Sequence, residues 1–155
     1  MSAPPTPRQQ VFISYAHADA KWLKRLQVHL KPLERDHRIE CWDDTRIQPG
    51  MDWRREIDQA LARARVAVLL VSGAFLASDF IAKNELPPLL DAAEREGALI
   101  LPIILGPCRF ERTPELSRFQ AANPPSKTLE GMKKAEWEQV LKEIGERIED
   151  FLKTP

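Results

Sequence analysis

An α/β fold, with a mainly parallel sheet covered by helices on both faces, is predicted by three features of the sequence. Short apolar runs rich in β-branched residues alternate with segments whose apolar residues recur at helical spacing, the rhythm of β-α-β units. The run Val66 to Ser72, VAVLLVS, is apolar almost throughout, as a strand covered on both faces must be. About five strand-like segments occur, which suits a flavodoxin-like five-stranded parallel sheet better than a six-stranded dinucleotide fold. At 155 residues the chain is the size of one ordinary domain, large enough for a real core.

Residues 1–9 read as a disordered proline-rich leader, 10–152 as the folded domain, and 153–155 as a tail or the start of a linker. QVFISY (Gln10 to Tyr15) is the first strand, ending near Ser14. Asp19 is placed to cap a helix in which Trp22, Leu23, Leu26, Leu30 and Leu33 form an apolar stripe opposite Lys21, Lys24, Arg25 and Lys31. RIECW (Arg38 to Trp42) is a short second strand. Asp43 to Asp52 is a polar, exposed loop whose Pro49-Gly50 pair suits the centre of a type II turn. Trp53, Ile57, Ala60, Leu61 and Ala64 mark a second amphipathic helix leading into the Val66 to Ser72 strand.

Helical spacing then continues through Phe75, Leu76, Ile81, Leu86, Leu89, Leu90 and Ala93, but Pro87 and Pro88 predict a kink near Glu85. Ala98 to Leu105 is a fourth strand, and its Pro102 is tolerated best near a strand end or at a sheet edge. A very short fifth strand is expected around Phe119. Ala135 to Leu152 carries Trp137, Val140, Leu141, Ile144, Ile148, Phe151 and Leu152 on one face of a long terminal helix.

Charge and composition exclude several functions. Lys plus Arg is 23 and Asp plus Glu is 23, so there is no basic field for nucleic acid or an anionic membrane. No apolar run is long enough to span a bilayer, and Cys41 and Cys108 lack the spacing of a metal or redox pair, which suits a reduced, cytoplasmic compartment. The turn after the first strand, SYAHAD, has no glycine, so neither a G-x-G-x-x-G nicotinamide-dehydrogenase turn nor a phosphate-binding P-loop is present. A phospho-acceptor domain would end its third strand on Asp, where this chain has Ser72. Glu85 lies just past a buried strand, at the sheet edge where open α/β folds bind ligands. On residue chemistry alone it is either a reactive carboxylate or a solvated helix-end charge.

VFISYAHAD (Val11 to Asp19), WDDTRIQPG (Trp42 to Gly50) and SGAFLASDFIAKNEL (Ser72 to Leu86) resemble, in order and spacing, the motifs of Toll/interleukin-receptor (TIR) domains, most closely bacterial ones. The resemblance covers about residues 10 to 152. It implies either an enzyme cleaving the nicotinamide–ribose bond of NAD, an effector of bacterial defence activated by self-assembly, or a non-catalytic scaffold joining TIR domains to one another. NAD would be a substrate, with no cofactor and no metal. Carried over residue by residue, Glu85 matches the catalytic glutamate. Ser14, Tyr15 and Ala16 match the pocket floor, with Ser72 beside them. Asp43, Arg46, Pro49 and Gly50 match the mobile loop, where Arg46 meets either the pyrophosphate or a neighbouring subunit. Many catalytic members carry Trp four residues before the glutamate, where this chain has Ile81. Phe80 points elsewhere on a regular helix, and Trp42 or Trp53, both read as packing residues, are the candidate substitutes. A sensor domain or partner protein outside this chain is expected to trigger assembly.

Overall fold

The computed structural model describes residues 10–36 and 38–153, so the expected leader and the last two residues of the tail lie outside the described residues. Four parallel strands form one sheet: β1 (Gln10–Ser14), β2 (Glu40–Trp42), β3 (Ala64–Val71) and β4 (Leu99–Ile104), in the order β2-β1-β3-β4. Among the described residues this is the flavodoxin-like order without its fifth strand. Alternation along the strands divides the core. Val11, Ile13, Val66, Val68, Leu70, Leu101 and Ile103 face the helices α1 (Ala20–Arg35) and α6 (Lys134–Lys153). Phe12, Ala67, Leu69, Val71, Ile100 and Ile104 face the other way, onto α2 (Trp53–Arg63), α3 (Gly73–Ala77) and α4 (Leu86–Glu96).

The expected fifth strand around Phe119 does not form among the described residues; Phe119 follows the short helix α5 (Pro114–Ser117) in a bend. An irregular segment closes the sheet instead. The Ala122 N–H donates to the Pro102 carbonyl at 2.8 Å. One residue on, the Asn123 side chain accepts from the Ile104 N–H and donates to the Ile104 carbonyl, both at 2.9 Å. A side-chain amide offers the same donor and acceptor pair as a peptide group, so Asn123, 2% exposed, stands in for a residue of the missing strand. Pro102 is tolerated for the reason anticipated: its missing N–H falls on the outer edge of β4.

The Asp43–Asp52 loop contains the predicted turn. The Met51 N–H donates to the Gln48 carbonyl at 3.1 Å, and Gly50 has φ +91°, the left-handed value the third residue of a type II turn requires. The proline pair disrupts the helix in a more specific way than a break. Pro87 and Pro88 have no N–H for the carbonyls of Lys83 and Asn84, and the preceding turn, Ile81–Glu85, widens into a π-helix in which the Leu86 N–H reaches back to the Ile81 carbonyl. The helix therefore continues into α4 with one residue too many in the turn that ends on Glu85. Asp19 occupies the capping position of α1 but makes no capping bond, because its carboxylate accepts from the Ser72 hydroxyl at 2.5 Å.

Candidate functional site

Glu85 is not at the open periphery of the sheet. The wide π turn rotates it inward, leaving it 8% exposed against the carboxyl end of β1, where the Ser14 hydroxyl donates to its Oε1 at 2.6 Å. Burial raises its pKa above the ordinary glutamate range and Asp44 adds to the rise; the Ser14 hydrogen bond and His17 oppose it. Glu85 forms part of the wall of a cavity of about 500 Å³ beside the carboxyl edge of the sheet. Tyr15, His17 and Asp44 contribute its polar wall, Ala16, Ile47, Ile57 and Ile81 aliphatic surface, Trp53 and Phe80 two rings, and Ser78 a hydroxyl.

One carboxylate organises the polar wall. Tyr15 donates its hydroxyl to Asp44 Oδ1 at 2.6 Å, and His17 Nε2 lies 2.5 Å from Asp44 Oδ2. Burial, then the hydrogen bond to Asp44, hold the Tyr15 phenol well above its usual range, so it remains a donor at neutral pH. A larger cavity, about 560 Å³, lies at the opposite end of β4, among Leu99, Ile100, Val140 and Ile144. Size favours it, but the buried carboxylate and the converging polar groups belong to the Glu85 cavity, so the chemistry is assigned there.

The residues singled out in the sequence divide into two sets. Glu85, Tyr15 and Ala16 line the cavity, and Ser14 stands behind it, 1% exposed and bonded to Glu85. Asp43, Arg46 and Ser72 do not line it. Asp43 is fully buried: its Oδ1 accepts from the Thr45 N–H at 2.9 Å and from the Thr45 hydroxyl, and its Oδ2 from Gln27 Nε2 at 3.0 Å. It is the cap of the tight turn Asp44–Arg46, with both oxygens engaged away from the cavity. Arg46 points to Glu34, 3.1 Å away, with its side chain about half exposed. Ser72 accepts from the Phe75 N–H at 3.0 Å as the cap of α3 and donates to Asp19. Pro49 and Gly50 are exposed at the loop tip.

Sequence reasoning missed Asp44, His17, Ser78 and Phe80. Asp43 and Asp44 are chemically alike, and only the turn they begin decides that the first faces inward and the second faces the cavity. Phe80 was set aside on the geometry of a regular helix, and the π turn that follows it invalidates that geometry. Trp42 packs as expected, stacked on Phe12 at 5.1 Å, whereas Trp53 does not: it is 52% exposed at the cavity rim.

A buried glutamate past the third strand of a parallel sheet ordered 2-1-3-4, bonded to a serine on the first strand and with a polar loop beside it, is the arrangement of a TIR-type fold. The sequence pattern of the TIR domain family matches residues 11–146, and the chain belongs to that family. Among proteins of known sequence it is similar to an uncharacterised protein, y4lF, of Sinorhizobium fredii (strain NBRC 101917 / NGR234), 36% identical over 104 residues, or 67% of this chain. The matched part is 32% of y4lF, so the chain spans about a third of that relative's length. Among solved structures it is similar to the TIR domains of the activated Roq1 resistosome directly recognising the pathogen effector XopQ. That match has a TM-score of 0.54 and 18% identity, over 88% of this chain and 83% of the other, a likeness of fold.

Proposed function

We propose that this TIR domain is an NAD glycohydrolase that acts as an effector of defence signalling once it assembles with other copies of itself. The observation that carries the reading is Glu85, a buried, raised-pKa carboxylate held by Ser14 in the wall of a cavity otherwise rich in apolar and aromatic surface. In the reaction the bond between C1′ of the ribose and the nicotinamide nitrogen breaks and its electron pair leaves on nitrogen. The leaving base is then neutral, so no acid need protonate it. Water attacks C1′ and loses a proton, giving ADP-ribose; attack by a nitrogen of the adenine would give the cyclised product. The transition state carries positive charge on the ribose, which an ionised Glu85 stabilises from within the cavity. Ser14 holds that carboxylate in one orientation, while Tyr15 and His17 fix Asp44 beside it.

Ile81 in place of the aromatic residue usual in catalytic members favours the second reading, a scaffold that only joins TIR domains. The two readings separate on one measurement: assembled protein incubated with NAD releases nicotinamide, quantified by chromatography, and Glu85→Ala releases none. Wild-type protein that assembles and releases none leaves the scaffold.

Assembly itself is proposed to run through the loop tip, where Pro49, Gly50 and Met51 are exposed beside the cavity and Arg46 lies on the outer side of the same loop. Turnover per molecule then rises with concentration or a crowding agent. A strictly constant specific activity, from monomer to oligomer by light scattering, refutes this coupling. The trigger is proposed to be a sensor domain or partner protein, in keeping with the greater length of y4lF. NAD is the small-molecule partner, without metal or further cofactor, and the cytoplasm its compartment; no described helix is long and apolar enough to cross a membrane.

A further inference from the structure

We propose that the outer edge of β4 docks an extended, acidic segment of a partner protein, which pairs with the main chain at Ile100 and supplies the strand that this chain replaces with an irregular segment. The site shares no residue with the Glu85 cavity.

Successive residues of a strand turn their N–H and C=O groups to opposite sides. The Leu105 N–H donates to the Val71 carbonyl of β3, so Ile103, Leu101 and Leu99 also face β3, while Ile104, Pro102 and Ile100 face outward. The outward row is covered as far as Pro102. Asn123 takes both groups of Ile104, and Pro102, which has no N–H, accepts at its carbonyl from Ala122. At Ile100 the cover stops. Among the described residues nothing on that side pairs with its N–H or its C=O, although the residue is only 4% exposed. A buried main-chain donor and acceptor left together without partners is the mark of an open sheet edge. The cavity of about 560 Å³ borders the same residue, between the 118–122 segment and α6, where a fifth strand would run beside the first half of β4.

The lining says what kind of chain fits. Leu99, Val140 and Ile144 offer apolar surface to a β-branched or aromatic side chain. Arg118 and Arg147 line the cavity too, both exposed, and among the described residues neither has a carboxylate within ion-pair distance, unlike Arg38, Arg46, Arg54 and Arg95. Each guanidinium lies instead near a ring, Arg118 at 4.6 Å from Phe119 and Arg147 at 5.8 Å from Phe151. The acidic lining residue, Glu143, accepts from Gln139 one turn back along α6. A segment with Asp or Glu flanking an apolar residue therefore meets two forked donors. The chain's own residues 1–9 are the wrong occupant: they carry Arg8, no acidic residue, and Pro4, Pro5 and Pro7, which cannot donate to Ile100. Main-chain pairing supplies affinity and the apolar and charged lining supplies selectivity, as in other additions of a strand to a sheet edge.

Hydrogen exchange and peptide selection test the proposal. In dilute protein the Ile100 amide exchanges at least about tenfold faster than those of Leu101 and Ile103, whose N–H groups lie in the ladder with β3. Random heptapeptides displayed and selected on the full chain enrich for Asp or Glu flanking β-branched or aromatic residues. A synthetic copy of the best of them slows Ile100 exchange at least about tenfold and loses binding when its central peptide nitrogens are methylated. It binds the Arg118→Glu, Arg147→Glu double variant about tenfold more weakly, with the melting temperature unchanged because both side chains are exposed. An Ile100 amide as slow as that of Leu101 in the dilute protein overturns the proposal, as does a selection that enriches nothing or enriches basic peptides. If the Ile100 amide slows with rising concentration of the chain alone, the occupant is a second copy and the acidic partner is refuted. None of these readouts involves NAD, so the docking site stands or falls apart from the glycohydrolase reading.

Discussion

Replacing Glu85 by Gln changes the charge of the site with little change of shape, and the structure predicts opposite effects on activity and stability. The substitution keeps an oxygen that accepts from the Ser14 hydroxyl, the 2.6 Å bond of the wild type, but removes the negative charge. If that charge stabilises the cationic ribose, nicotinamide release falls a hundredfold or more, about 2.7 kcal/mol of transition-state stabilisation. Stability moves the other way. Because burial raises the folded pKa of Glu85, the fold binds the protonated form more tightly than the unfolded chain does. This contribution is fully present below the unfolded value, about 4.3, and is lost as pH rises through the raised folded value. Each pKa unit of elevation costs the wild type about 1.4 kcal/mol at neutral pH. Glu85→Gln is therefore expected to melt about 2–4 °C higher at pH 7.5 for each kcal/mol recovered, with the advantage vanishing near pH 4. Glu85→Ala, in contrast, leaves the buried Ser14 hydroxyl without its acceptor, at a cost of about 1–3 kcal/mol. Paired measurements of nicotinamide release and thermal unfolding at the two pH values decide the matter. A Gln variant with wild-type turnover, or one that melts several degrees lower at pH 7.5, refutes the role assigned to the buried charge.

The remaining predictions concern the loop and the sheet edge. Asp43→Ala removes the cap of the Asp44–Arg46 turn and orphans Gln27 and Thr45, so it is expected to lower stability by about 1–3 kcal/mol in denaturant titration, and unchanged stability would restore Asp43 as a free ligand. Arg46→Glu loses only a half-exposed pair with Glu34, worth at most about 1 kcal/mol, and should weaken assembly or turnover by light scattering and nicotinamide release; a large fall in melting temperature would make the loop a structural element. Asn123→Ala strips the N–H and C=O of Ile104 of their outer partners and should cost about 2–4 kcal/mol, with hydrogen exchange accelerated at Ile104 in particular; protection of that amide unchanged from wild type would show that the segment is held by other contacts.

What was legible in the sequence depended on periodicity, and what was not depended on single deviations from it. Alternation in β1 and β3, and the stripes of α1 and α6, are sums over many residues and survive local irregularity. The fifth strand was misread because a sheet edge needs only hydrogen-bond donors and acceptors, and Asn123 supplies them without any strand-like pattern. Glu85 was legible as a position but not as an environment: a kink was predicted from Pro87 and Pro88, while the π turn the kink becomes decides that Glu85 is buried and that Phe80 borders the cavity. Ser14, Tyr15 and Ala16 were legible as a group at the end of β1, yet the distinction between the residue that holds the Glu85 carboxylate and those that line the cavity needed coordinates.

The same π turn links the two parts of the proposed function. Its residues carry Glu85 into the cavity and, through Asn84, hold the first turn of α2, which is continuous with the exposed loop of Arg46, Pro49 and Gly50. A contact that shifts the loop tip is therefore expected to move the start of α2, and with it the anchor of the glutamate turn. Cutting that link without touching the carboxylate, by Arg54→Ala, is expected to leave melting temperature and self-association near wild type, because the Arg54–Asn84 bond is exposed. The concentration dependence of nicotinamide release should flatten in the same variant. Should Arg54→Ala keep the full rise in specific activity on assembly, the loop acts on the cavity from the neighbouring subunit and not through α2.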